Sequence, residues 1–111
     1  LKFFRFVDEY INCDYKKFCN IILIMKLLRF EISTRDNKKY MAILEKNGKI
    51  RKVHFGDSRY EHFMDSTPEK YWKHLDHNDE KRRQKYRLRA GRQGYQKIKY
   101  SPAWFSWNYL W

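Results

Sequence analysis

Thiols run out early in this chain. Cys13 and Cys19 are the only cysteines, and none follows them. A disulfide framework or a thiolate zinc centre is therefore excluded from residues 25–111, which fits an intracellular location. Apolar runs are short: none approaches the roughly 20 residues that span a bilayer. The longest, "IILIM", also lacks the small-residue cleavage site of a signal peptide. Glycine is sparse, four in 111 residues, and nothing reads as a phosphate-cradling glycine loop or a nucleophile elbow. Acidic side chains are scarce as well, 13 against 25 Lys and Arg, for a net charge of +12. That imbalance calls for an acidic partner: nucleic acid, an anionic membrane surface or an acidic protein. Aromatic residues, by contrast, make up 19% of the chain, too many for a disordered basic tail. The length suits one domain with a modest core.

The sequence divides near Met25. Residues 1–24 begin with Leu and are dominated by Phe, Ile, Asn, Lys and Tyr, the residues that AT-rich DNA encodes by default. The expectation is that they are upstream translation and that residues 25–111 form the basic module. The competing reading is an amphipathic helix with Phe3, Phe6, Tyr10 and Phe18 on one face. Four Lys/Arg stand against three Asp/Glu there, so removing that +1 from +12 leaves +11 for residues 25–111.

From Met25 the pattern has period two. Leu28, Phe30 and Ile32 alternate with Arg29, Glu31 and Ser33, as in a half-buried strand. "KYMAILEK" and "KIRKVHFG" flank Asn47-Gly48, the strongest short hairpin signal, because a type I′ turn needs positive φ at both central positions. Three antiparallel strands are predicted, at 26–33, 38–46 and 49–55, with Val53 and Phe55 inward. Thr67-Pro68 carries the grammar of a cap followed by proline at the first helical position, with Tyr71, Trp72 and Leu75 on one side. Asn78 or Asp79 caps a second helix ending near Ala90, with Gly91 as its stop. Residues 91–100 read as a loop, and Ser101-Pro102 launches a third helix. The class is α+β: a three-stranded antiparallel meander packed with two or three short helices.

Three constellations carry candidate chemistry. The first is acidic and imidazole-rich: His74, Asp76 and His77, with His54, Asp57, Glu61, His62 and Asp65 nearby in sequence. Gathered by folding, these would suit a divalent-metal nuclease, with His74, His77, Asp57 and Asp76 as ligands. The favoured reading is that they cap helices and bond the corner between hairpin and helices, since acids at a helix start complement its dipole. "FGDSRYEH" is read in the same way, as a polar junction rather than a turn presenting Arg59, Tyr60 and His62 to a ligand. The second constellation is the run from Lys81 to Lys99, with nine Lys/Arg and no acid. On a helix Arg82, Lys85 and Arg89 form one stripe, and Arg83, Arg87 and Ala90 the next. Only Tyr86 and Leu88 offer large apolar surface, so charge is expected over most of the helix. Tyr95 and Tyr100, among Gln96, Lys97 and Lys99, are candidates for stacking bases. The third is the aromatic end, where Trp104, Trp107 and Trp111 share a stripe as core or as an interface anchor.

The motifs "VHFGDSRYEHFMD", "HLDHNDEKRRQKYRLRA" and "SPAWFSWNYLW" occur in that order across nearly all of residues 25–111. In order and spacing the chain resembles a family of small, uncharacterised basic proteins encoded by large eukaryotic (nucleocytoplasmic) DNA viruses. The resemblance implies a viral origin and a place in or near the virion, and it brings no assigned activity. Members often carry a His after "YxAR"; "YRLRAGR" here has none, which argues against an essential role for it.

Together these features lead to the expectation of a non-enzymatic viral accessory or minor virion protein without metal or cofactor, in the virion or the host cytoplasm or nucleus and not secreted. Arg82, Arg83, Lys85, Arg87, Arg89, Arg92, Lys97 and Lys99 would bind nucleic-acid phosphates without sequence readout, or an acidic capsid surface. The alternatives are the metal-dependent nuclease and a capsid cement anchored by Trp104, Trp107 and Trp111.

Overall fold

The computed structural model describes residues 25–111; the expectations for residues 1–24, Cys13 and Cys19 included, lie outside the described residues. Strands β1 (Lys26–Ile32), β2 (Lys38–Lys46) and β3 (Lys49–Asp57) form an antiparallel sheet in the order β1-β2-β3. Asn47 (φ 54) and Gly48 (φ 78) make the two-residue turn between β2 and β3. Helix α1 (Glu80–Gln93) and helix α2 (Pro102–Tyr109) follow, with short 3-10 turns at Lys73–Leu75 and Tyr95–Lys97. The architecture is α+β, as the patterning predicts.

Alternation places Phe30, Tyr40, Ala42, Leu44 and Phe55 on one face, where they pack with Phe105 and Leu110 from the C-terminal segment. The core is largely aromatic. Phe105 stacks on Phe55 at 5.2 Å and takes the edge of Phe30 at 5.8 Å. Rings packed edge-to-face and offset in this way add to the burial that a small domain needs. One expectation for β1 fails. The register shifts between Leu27 and Arg29, a bulge at Leu28 that turns this side chain outward. Met25 and Leu27 pack against the core in its place, and Ile32 is exposed at the strand end.

The helix expected after Thr67-Pro68 is absent, and its would-be donors show why. Thr67 Oγ1 does accept the Lys70 N–H at 3.1 Å, as a cap would. Lys70 then takes a positive φ of 55°, which an ordinary helix does not tolerate. The next amides, Tyr71 N and Trp72 N, donate to Tyr40 Oη and Asp65 Oδ2. Side-chain acceptors thus capture the amides that a helix would use, leaving only the turn at Lys73–Leu75.

The segment from 58 to 79 is irregular but well tied. His62 N and His77 N exchange bonds with Leu75 O and His62 O, and Met64 N and Ser66 N donate to Leu110 O and Tyr109 O. At the end of β3, Gly56 has φ +79°, and a Cβ there would lie 3.0 Å from Leu110 Cδ1 and 3.2 Å from Lys39 Cβ. Conformation and space both require glycine at this position.

The caps of α1 and α2 are those the sequence signals. Asp79 accepts from Lys81 N and Arg82 N, and Ser101 Oγ accepts from Trp104 N. The stop of α1 differs. The helix runs through Gly91, whose Cα faces the Trp107 ring, and ends at Gly94 in the left-handed region.

Candidate functional site

Helix α1 has two unlike sides. Its inner side seats on the aromatic end of the chain: Tyr86 stacks on Trp111 at 4.4 Å with the rings 9° apart. The arginines flanking Tyr86 join that packing. Arg83 Nε donates to the main-chain oxygen of Trp111 at 2.7 Å, and its guanidinium lies 4.7 Å from the Phe63 ring. Arg87 donates to the same oxygen from Nη2 at 3.1 Å and lies 4.5 Å over Trp107. Planar guanidinium groups suit this double use, since they bond in their plane and stack on their faces. The expectation of charge over most of the helix is thereby narrowed at two positions, since Arg83 and Arg87 are half-buried and take part in the packing.

The outer side carries the remaining charge. Lys81, Arg82, Lys85, Arg89 and Arg92 are exposed, and Lys97 and Lys99 continue the positive surface beyond the helix. Among the described residues only Arg82 of this set meets a carboxylate, Glu61 Oε1 at 2.9 Å, with both side chains about half exposed. Such a surface pair is worth about 0–1 kcal/mol and yields readily to another anion. Arg89 leans on Tyr86 and Lys99 lies over Tyr100, at 5.5 and 5.1 Å from the ring centroids.

The acidic and imidazole residues do not converge on a metal. Among the described residues no group of three or more His, Cys, Asp or Glu is placed to hold one. His74 stacks on Trp72, and His77 sits against Trp111. Asp57 is engaged by Arg59, whose side-chain and backbone bonds hold its carboxyl at a pKa of about 2. Asp76 bonds His62 Nε2 at 2.6 Å.

That last contact belongs to a buried network which the sequence reading placed only in part. Lys39 Nζ donates to Tyr60 O and to His62 Nδ1, each at 2.8 Å. His62 therefore carries its proton on Nε2 and gives it to Asp76, whose Oδ1 also accepts from Asp65 N at 2.9 Å. Asp65 in turn accepts from Tyr40 Oη (2.5 Å), Thr67 Oγ1 (2.6 Å), Thr67 N (2.9 Å) and Trp72 N (3.1 Å). His62 is fully enclosed and Lys39 nearly so, so neither is placed to exchange a proton with a substrate. The chain of bonds fastens the irregular segment to β2. Lys39 gave no sequence signal, because alternation along β2 sets it beside Met41 and Ile43, away from Tyr40.

The network predicts how stability depends on pH. Burial, reinforced by the Lys39 charge, lowers the His62 pKa below its ordinary 6.5. On acidification the unfolded chain takes up a proton that native His62 refuses, so stability falls below pH 6.5. Burial also lowers His54 and His77, which adds to the same sign. Burial brings Lys39 down to about 8 from 10.5, against the pull of Asp57, Asp65 and Asp76. Between pH 8 and 10 native Lys39 sheds a proton that the unfolded chain keeps, so stability rises there. Urea midpoints measured from pH 5 to 10 should fall below 6.5 and climb above 8. A profile flat across both windows would contradict the burial of these groups.

The three tryptophans share one helical stripe in sequence but serve two neighbourhoods. Trp104 packs with Tyr100, Phe105 and Tyr109, whereas Trp107 and Trp111 pack on α1. All three are partly buried; the fully buried anchors of this end are Phe105 and Leu110. Among the described residues no helix is long and apolar enough to cross a membrane. Residues 28–90 match a protein family of unknown function (DUF5754). No curated protein and no solved structure matches the chain.

Proposed function

The chain belongs to DUF5754, and from its own residues we propose that it binds nucleic-acid phosphates through the outer side of α1 and the turn after it. The observation that carries this reading is the division of the helix. Arg83 and Arg87 are drawn inward by Trp111, Phe63 and Trp107, while Lys81, Arg82, Lys85, Arg89 and Arg92 face outward with Glu61 as the one carboxylate against them among the described residues. Like charges three and four residues apart on a helix repel by a few tenths of a kcal/mol per pair. Phosphates laid along the stripe remove that repulsion and release counterions.

Binding of this kind reads charge and spacing. Phosphate contacts position a protein on nucleic acid and carry no sequence information, and no groove-reading motif accompanies these residues. The reading is a non-enzymatic accessory or minor virion protein, and the resemblance to proteins of large DNA viruses supports a viral nucleic acid as its ligand. The test is anisotropy of a labelled oligonucleotide titrated with the full chain at 50 and 200 mM salt. Five or six phosphate contacts predict an affinity loss of about 10³-fold across that range. Absence of binding at 50 mM would overturn the proposal.

A further inference from the structure

The outer side of α1 carries more than charge, and it continues past the helix end. Leu88, Tyr95 and Ile98 are 62%, 60% and 59% exposed, with Arg92, Lys97 and Lys99 exposed among them. Leu88 and Arg92, four residues apart, share one side of α1, and Tyr95 opens the turn that follows the helix stop at Gly94. Large apolar side chains left in water among cations call for a partner that is anionic and has flat apolar surface.

Resting on the phosphate-binding reading, we infer that the ligand is single-stranded nucleic acid, with Tyr95 as the platform on which a base stacks. The backbone beneath Tyr95 is fixed. Gly94 turns into the left-handed region and stops α1. The Tyr95 carbonyl then accepts from Ile98 N at 3.1 Å and from Ser101 Oγ at 3.0 Å, tying the turn to the residue that caps α2. Lys97 N and Ser101 N close the turn on Gly94 O and Ile98 O. Among the described residues the Tyr95 ring stacks on no other ring. Tyr100, the other stacking candidate in this stretch, is committed to the core: it lies parallel to Phe105 at 5.7 Å and against the edge of Trp104.

A duplex does not use these features. Its bases are stacked on one another and its outer surface is phosphate, so a tyrosine face and two aliphatic side chains would gain nothing there. A single strand offers both chemistries, phosphates to Arg92, Lys97 and Lys99 and unstacked base faces to Tyr95. Base–aromatic stacking of this kind tolerates any sequence, in keeping with the absence of groove-reading residues.

The test uses the full chain with oligo-dT and oligo-U of about 12 nucleotides and a hairpin duplex of matched charge at one salt concentration. Tighter binding of either single strand than of the duplex, by about tenfold, is expected. Tyr95→Ala should lower single-strand affinity by about tenfold, leave duplex affinity and the salt slope unchanged, and be rescued by Tyr95→Phe. Equal binding of strand and duplex, untouched by Tyr95→Ala, overturns this inference and leaves the phosphate reading standing. Failure to bind any of the three oligonucleotides removes both. Capture of phosphatidylserine vesicles in preference to the single strands, lost in Tyr95→Ala, also overturns it by giving the apolar side chains to a lipid surface.

Discussion

Replacing Asp65 by alanine is expected to lower the stability of the fold by about 3–5 kcal/mol, the largest effect expected of a single polar substitution among the described residues. The carboxylate receives the hydroxyls of Tyr40 and Thr67 and the amides of Thr67 and Trp72. Burial opposes its charge, but bonds from Thr67, Tyr40 and Trp72 outweigh that and hold its pKa below the usual carboxylate value. Thr67 Oγ1 can still donate to Tyr40 Oη at 2.9 Å, but alanine would leave the Tyr40 hydroxyl and the Thr67 and Trp72 amides with no acceptor in a buried site, where each unmade bond costs about 1–3 kcal/mol. Partial collapse of the segment recovers some of that cost, which sets the lower end of the range. Small domains have only about 5–15 kcal/mol in total, so the variant should unfold at a much lower urea midpoint. The Thr67 and Trp72 amides should lose their hydrogen-exchange protection. Asp65→Asn keeps one acceptor oxygen and should fall between. A loss under about 1 kcal/mol in the alanine variant would show that the network is not what holds residues 58–79. The effect extends to the candidate interface, because the same segment supplies Phe63 beneath Arg83 and Glu61 beside Arg82.

The sheet was legible because local signals there agree with the global fold. Period-two alternation and Asn47-Gly48 name β2, β3 and the turn between them, and Ser101-Pro102 and the pair Asn78-Asp79 mark the helix starts. What escaped depends on partners distant in sequence. Thr67-Pro68 has the grammar of a helix start, yet Tyr40, some thirty residues earlier, draws the Tyr71 amide out of the helix. Arg83 and Arg87 look like their neighbours until Trp107 and Trp111 arrive from the chain's far end. Gly91 reads as a stop, but the Trp107 ring lies against its small surface and the helix continues. Lys39 is indistinguishable in the sequence from a solvated lysine, and its burial rests on partners some twenty residues away, Tyr60 O and His62 Nδ1. The stripe of cations itself was plain from composition; which of its members are free was not.

That division has a functional consequence with the second-largest expected effect. Lys85, Arg89 and Arg92 are exposed and meet no carboxylate among the described residues, so the triple alanine variant should fold normally. Each phosphate contact contributes about 0.7–0.9 to the slope of log affinity against log salt concentration. Three lost contacts reduce the slope by about 2–3 and weaken binding near 0.1 M salt by about 10²-fold. Arg83 and Arg87 carry the opposite expectation. Their charged bonds to Trp111 and their stacking on Phe63 and Trp107 together make alanine at both positions cost roughly 3 kcal/mol of stability.

On the function proposed above, α1 uses one side to fold and the other to bind. The salt dependence of oligonucleotide binding, measured beside the urea midpoint in both variants, tests it most directly. Lys85/Arg89/Arg92→Ala should lose slope and keep its midpoint, while Arg83/Arg87→Ala should lose midpoint and, where folded, keep its slope. Equal slopes in the outer-side variant and the unaltered chain, or a slope lost at Arg83 and Arg87 with the midpoint unmoved, would contradict it.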